Sequence, residues 1–267
     1  MTAIANLLYV TLKSALRDRI LHAMFGVSLV LLLLVPSLSV FSMRQVQELS
    51  ITLSLSAVSV ALLLLATLLG ASSIWRDVER RYTSSILGLP ISRGTYVLGK
   101  YAGIASVLVA SAFLLGVAST LVIALSAGAH PSDMPVRWPN VWTAVVFDTL
   151  KYLLLAALAM LFSSLSTSFF LPFFGTISIY LAGSASQDVY EYITGPYGKT
   201  LSPVFRWLAH VVYYIIPNFS AFNLKVLAVY GLLLPWNGLL YTFCYFLVYT
   251  ALVLVICVWI FSRRELP

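Results

Sequence analysis

Ionisable side chains are scarce in this chain, and those that could do chemistry gather in two places. The first runs Arg76-Asp77-Val78-Glu79-Arg80-Arg81-Tyr82, then Ile86-Leu87-Gly88-Leu89, then Pro90-Ile91-Ser92-Arg93, and ends at Gly99-Lys100. Acids and bases mixed this densely can pair within the chain or offer ion pairs to another protein. The second place holds only Asp148 and Lys151, three residues apart in an apolar stretch, so that one helical face carries both. Either would be expensive in lipid without a partner, and pairing with each other is the simplest solution. Two other readings stay open: Lys151 snorkels outward beside a hydrated Asp148, or the two line a substrate path or a subunit interface.

The sequence offers little for catalysis. It has no His-Glu-x-x-His, no Ser–His pair or pair of facing aspartates within apolar runs, and no Gly-x-x-x-x-Gly-Lys-Ser/Thr loop for phosphates. His210 is a lone histidine on an apolar stretch and reads as interfacial. Cys244 and Cys257 are separated by 13 residues on one expected helix, or about 20 Å, too far for a disulfide. No metal-ligand spacing is present either. We therefore expect no cofactor or metal on this chain, and an intramembrane enzyme is the weaker reading.

The elements around these residues follow from composition. Of 267 residues, 61% are hydrophobic and only 9% charged, with a mean hydropathy of +0.97, so water is not the main solvent. Runs long enough to span a bilayer, about 20 residues each, fall at 22–41, 52–75, 101–127, 141–163, 168–186 and 238–262. The expectation is an all-α polytopic membrane protein with six spans, forming a single domain over 1–267. Lys13, Arg17, Asp18 and Arg19 interrupt the region where a cleavable signal peptide would need an apolar core, so none is expected.

The net charge of +7 points to membrane orientation more than to nucleic acid. With a cytoplasmic amino terminus, ten basic residues fall on the inner side: Lys13, Arg17, Arg19, Arg76, Arg80, Arg81, Arg93, Lys100, Arg263 and Arg264. Five fall outside: Arg44, Arg137, Lys199, Arg206 and Lys225. The imbalance places both termini in the cytoplasm of a bacterial or archaeal cell, with the chain in its inner membrane.

Outside the spans, residues 1–21 put Ile4, Leu8, Leu12, Ala15 and Leu16 on one face, as in a helix lying in the cytoplasmic interface. Pro36 should kink the first span or mark its outer end. The segment 187–237 is extracytoplasmic by parity yet carries apolar pieces too short to cross, which reads as a re-entrant helical pair. Its many tyrosines and tryptophans suit an interfacial belt. Ser163 to Ser168 reads as a polar turn between the fourth and fifth spans.

Within the loop at 76–100, Ile86, Leu87 and Leu89 can form a short amphipathic helix under the membrane, stopped by Pro90. Ser92 then fits as N-cap of the turn into the third span. Such a charged, well-terminated knob suits docking to a protein.

This loop resembles that of the type-2 ABC transporter permeases, particularly the branch of the nitrous-oxide-reductase maturation exporter. That branch has Glu-x-Glu-Arg-Arg-Thr, about eight residues, Pro-x-Ser-Arg, and a later Gly-Lys. Asp77, Glu79, Arg80 and Arg81 match the first part, with Asp77 for the first Glu and Tyr82 for Thr; Pro90, Ser92, Arg93, Gly99 and Lys100 match the rest. The ending Ser262-Arg263-Arg264-Glu265-Leu266 is similar too. The resemblance implies a type V exporter-like subunit whose coupling helix, with Asp77, Glu79, Arg80, Arg81, Tyr82, Leu87, Pro90, Ser92, Arg93 and Lys100 in its loop, docks on an ATPase. It also implies a second permease copy or close relative, membrane lipids as surroundings, and ATP with magnesium bound and hydrolysed on the partner ATPase subunits. A non-transporting ABC-coupled scaffold fits the loop equally well. Apolar spans favour a lipid-linked or amphiphilic cargo over a small ion, and drugs, peptides and glycolipids remain open.

Overall fold

The structure is a computed structural model that describes residues 3–41, 45–79, 92–129, 135–196 and 202–264, apart from the side chains of 3–8, 16 and 20. Every regular element among them is helical: α1 (Ala3–Leu16), α2 (Arg19–Ser39), α3 (Val46–Glu79), α4 (Arg93–Ala129), α5 (Trp138–Leu165), α6 (Phe170–Thr194), α7 (Pro203–Ile215), a 3-10 turn (Ser220–Phe222), α8 (Lys225–Val229) and α9 (Trp236–Arg263). Away from its ends a helix closes its backbone hydrogen bonds internally, which lipid requires. Five of them, α2, α3, α4, α5 and α9, are long and apolar enough to cross a membrane. The count is six if α7 and the 220–229 piece, bent by 49° at their junction, form one span.

The sequence placed its fifth span at 168–186. A helix of 25 residues is there, α6, but it falls short of the five in apolarity because its second half carries Ser184, Ser186, Gln187, Asp188 and Glu191. It nevertheless joins the two ends of the bundle. Phe169, just before it, lies with its ring 5.7 Å from that of Trp75 in the last part of α3, while Gln187 near its far end bonds Asn218 and Tyr213. Pro36 sits in the last turn of α2, which stops at Ser39.

At the centre stands α5. From Tyr152 to Met160 every residue is buried, the pattern of a helix enclosed on all sides. It packs on α3, α4, α6, α8 and α9, and most extensively on α3. By contrast α2 and α9 leave most of their apolar surface outward, as helices at the lipid boundary do. α1 lies along α4, where Thr11 fits against Gly103 so tightly that a Cβ there would stand 2.5 Å from the Thr11 Cβ.

The α3–α5 seam is closer still, since it brings Gly70 onto the backbone of α5. A Cβ added to Gly70 would meet the Ala159 Cβ at 2.5 Å and the Ala156 carbonyl oxygen at 3.0 Å. Small residues on both helices make that approach possible, the usual device where lipid supplies no hydrophobic drive between helices. Gly70→Ala should therefore destabilise the detergent-solubilised protein by about 1–3 kcal/mol through overpacking. Gly26→Ala, whose new Cβ meets nothing within 4 Å, serves as the control. Equal thermal midpoints for the two variants would refute the close seam.

Candidate functional site

Two polar sites stand out against the apolar bundle. The first lies where α3 ends and α4 begins. The Ser92 hydroxyl accepts from the Thr95 backbone N–H at 3.1 Å, so Ser92 is the N-cap of α4 expected from the sequence. The Asp77 carboxylate receives Lys100 Nζ at 2.5 Å and the Tyr96 hydroxyl at 2.6 Å. Tyr96 is buried and stacks on Phe261 of α9, with ring centroids 5.4 Å apart. Next to Asp77, Arg76 reaches back to Asp18 at the α1–α2 elbow, 3.1 Å away. Glu79 closes α3 and is exposed.

Two arginines extend this site to other helix ends. Arg93 Nη1 lies 3.3, 2.7 and 2.9 Å from the carbonyl oxygens of Phe261, Ser262 and Arg264. Arg264 in turn donates to the carbonyls of Ser164 at 2.7 Å and Ser166 at 3.0 Å, at the end of α5. The last carbonyls of a helix lack intrahelical donors and carry partial negative charge, so each guanidinium caps a helix it does not belong to. Desolvation lowers the Arg264 pKa from its ordinary value, and the carbonyl contacts oppose that cost.

A serine completes the joint. The Ser163 hydroxyl donates to the Ala71 carbonyl at 2.8 Å and accepts from the Trp75 N–H at 2.9 Å. Those two groups would close one turn of α3, so the hydroxyl of α5 sits at its hydrogen-bond ladder. The Trp75 indole N–H then donates to the Thr167 carbonyl at 3.0 Å. The sequence assigned Ser163 and Ser164 to a polar turn, whereas both belong to the last turn of α5 and are buried; only 166–169 form the connection.

The second site lies deeper and toward the opposite end. Asp148, ten residues into α5 or about 15 Å along it, forms an ion pair with Lys151. The two are 6% and 5% exposed, which leaves neither snorkelling. Lys151 Nζ also lies 4.5 Å from the centroid of the Tyr152 ring, a cation–π distance. The Tyr152 hydroxyl bonds Ser59 of α3 at 2.7 Å. A third charge joins from α8: Lys225 lines a small cavity together with Asp148, and its Nζ lies 3.3 Å from the Ser56 hydroxyl. The segment that brings Lys225 in is held by Asn140, whose side-chain amide donates to the carbonyls of Leu227 at 2.8 Å and Leu232 at 2.7 Å. Among the described residues, no three His, Cys, Asp or Glu side chains come together to hold a metal.

The family model described as ABC-2 family transporter protein matches residues 2–266. The chain belongs to that family. No curated protein matches it. ABC-2 proteins are membrane components of ABC transporters, not catalytic themselves, and usually work with an ATP-binding subunit. With several apolar helices, this ABC-2 protein is a multi-pass membrane protein.

Of the residues singled out in the ABC-2 loop, the structure brings Asp77 and Lys100 together, makes Ser92 a cap and joins Arg93 to α9. Arg80, Arg81, Tyr82, Leu87 and Pro90 lie outside the described residues, as do the amphipathic helix and its stop. Three residues were missed. Lys225 was counted with an outer loop, although a single lysine inside the apolar run 219–234 is itself a signal. Arg264 passed for a general basic end, and Ser163 for a turn.

The second site predicts an asymmetry. Removing one member of a buried pair strands the other at about 3–5 kcal/mol. Asp148→Asn strands two lysines, whereas Lys151→Met leaves Asp148 with Lys225 nearby, so the first should lower thermal stability more than the second. The double variant should recover much of the loss. A milder effect for Asp148→Asn would contradict the arrangement.

Proposed function

We propose that this ABC-2 protein is the membrane-spanning permease subunit of an ATP-driven exporter, and that its cytoplasmic loop couples it to a separate ATPase. The observation that carries the reading is how the loop's base is built. At 1.5 Å per residue, α3 with 34 residues and α4 with 37 extend about 51 and 56 Å, well beyond a hydrocarbon core of about 30 Å. Both helices are therefore longer than that core is thick, and the loop picked out by the sequence begins on one and ends on the other. Its base is tied to the elbow through Arg76 and Asp18, to α9 through Arg93, and through Arg264 to the end of α5. A push on the loop is thus delivered to several helices at once.

In this reading the loop side is cytoplasmic, as its basic residues favour, and the protein sits in the inner membrane of a bacterium or archaeon. The α1–α2 elbow and the end of α9 lie beside the loop base, which supports both termini being cytoplasmic and α1 lying in the interface. Six spans follow if α6 crosses and α7 to α8 form a re-entrant pair. Contacts of that pair with Gly183 and Ser184 of α6, and with Asn140 near the start of α5, support its staying in the outer half. The loop motif favours the branch of the nitrous-oxide-reductase maturation permease. ATP and magnesium belong to the partner ATPase, and a second permease copy or a close relative completes the pore. The cargo is amphiphilic or lipid-linked.

Reversing two charges tests the coupling. With Glu79→Lys and Arg80→Glu combined, association with the ATPase in pull-down should fall at least about tenfold, the size of a broken docking pair. ATP-dependent flux into inverted vesicles should fall with it. Unchanged association and transport would count against docking through this loop. Intact association without any flux for a panel of amphiphiles would instead favour a scaffold.

A further inference from the structure

The region between the end of α7 and the start of α9 holds an open groove that the coupling reading does not use. Five of the residues lining it are tyrosines, Tyr213, Tyr214, Tyr241, Tyr245 and Tyr249, with Asn218 among them; no lining side chain is charged. Tyrosines of an interfacial belt direct their hydroxyls outward to headgroups and water. Three here do the opposite. Tyr213 donates to Gln187 Oε1 at 3.2 Å, Tyr249 donates to the Ile215 carbonyl at 2.5 Å, and the Tyr245 hydroxyl accepts from the Asn218 N–H at 3.0 Å. With those hydroxyls bound to protein, what the groove offers a ligand is chiefly ring surface.

Aromatic faces carry negative potential and attract cations. The groove's end wall adds to that field, because Tyr213 and Tyr214 lie in the last turn of the 13-residue α7, where helix carbonyls leave partial negative charge. An anion would meet no cationic side chain among the lining residues. A sugar would want free, fixed hydroxyl and amide partners, yet the Asn218 amide already donates to Gln187 at 2.8 Å and its oxygen accepts from Ser220 at 3.0 Å. A small metal cation or ammonium ion would lose strong hydration for weak ring contacts. A quaternary ammonium group loses little hydration and is the cation that aromatic cages take.

We propose that this groove binds a quaternary ammonium group, carried by a free organic cation or by a lipid headgroup. The site is independent of any ATPase, so it can be tested apart from the coupling reading. The full chain in phosphatidylglycerol nanodiscs would be assayed by equilibrium dialysis with labelled choline, competing with unlabelled choline or with 3,3-dimethylbutan-1-ol, its neutral isostere. Choline should bind saturably, and the neutral alcohol should compete about tenfold less well. Tyr214 and Tyr241 are 72% and 73% exposed, so replacing them spares the core. Tyr241→Leu should weaken choline binding by about tenfold, and Tyr241→Phe should keep it within about twofold. In phosphatidylcholine nanodiscs, loss of choline binding would identify the lipid headgroup as occupant, and undiminished binding would identify a free cation; both support the site. Equal competition by the neutral alcohol, absence of saturable choline binding, or wild-type affinity in both Tyr214→Leu and Tyr241→Leu would overturn it.

Discussion

The contact between α3 and α5 is the constraint on which the other helices depend. Gly70 lies against Ala156 and Ala159, and nearby the Ser163 hydroxyl engages the backbone of α3 at Ala71 and Trp75. In lipid, apolar side chains gain nothing by leaving solvent for protein, so helices hold together by close packing and by polar contacts. The seam has both. With α5 enclosed from Tyr152 to Met160, α4, α6 and α9 take positions around a fixed pair.

Charge is scarce, and among the described residues several charged groups join one element to another. At the loop end the groups are near water and connect elements: Arg76 with Asp18, Lys100 with Asp77, Arg93 and Arg264 with the carbonyl ends of other helices. Deeper in the bundle the Asp148–Lys151 pair and Lys225 are enclosed, and ring and hydroxyl contacts from Tyr152 and Ser56 supplement the pairing. Replacing such a cluster with apolar residues need not lower stability. Its contacts serve to orient α8 against α3 and α5 more than to bind them together.

The two ends of the molecule have different mechanical character. At the loop end, cross-links through arginines and Ser163 join α3, α4, α5 and α9 and tie the elbow to them, so the elements there move as a unit or break several bonds. At the other end α7 contacts mainly α6, and the chain from Pro217 to Pro235 alternates between short helical pieces and extended backbone, with Gly231 at φ +57°. Change of shape is cheaper where fewer contacts must be exchanged.

Composition and local spacing were sufficient for much of this. Long apolar runs become helices in lipid because no other open segment satisfies its backbone there, and Ser92 caps α4 because a serine three residues before Thr95 and just after Pro90 has little else to do. The loop motif, together with the basic end after the last span, pointed to the ABC transporter permeases, and the ABC-2 family model matches residues 2–266. Side-chain partners across helices were another matter. Nothing in the sequence around Lys225 says that its segment turns back toward Asp148, and nothing around Arg93 says that the carbonyls of Phe261 and Ser262 lie beside it, 168 and 169 residues away. Periodicity reports which face of a helix is apolar, whereas the fate of a buried charge or an unsatisfied carbonyl depends on which other helix arrives there. Only the packing of α3 on α5, with the rest arranged about it, decided that.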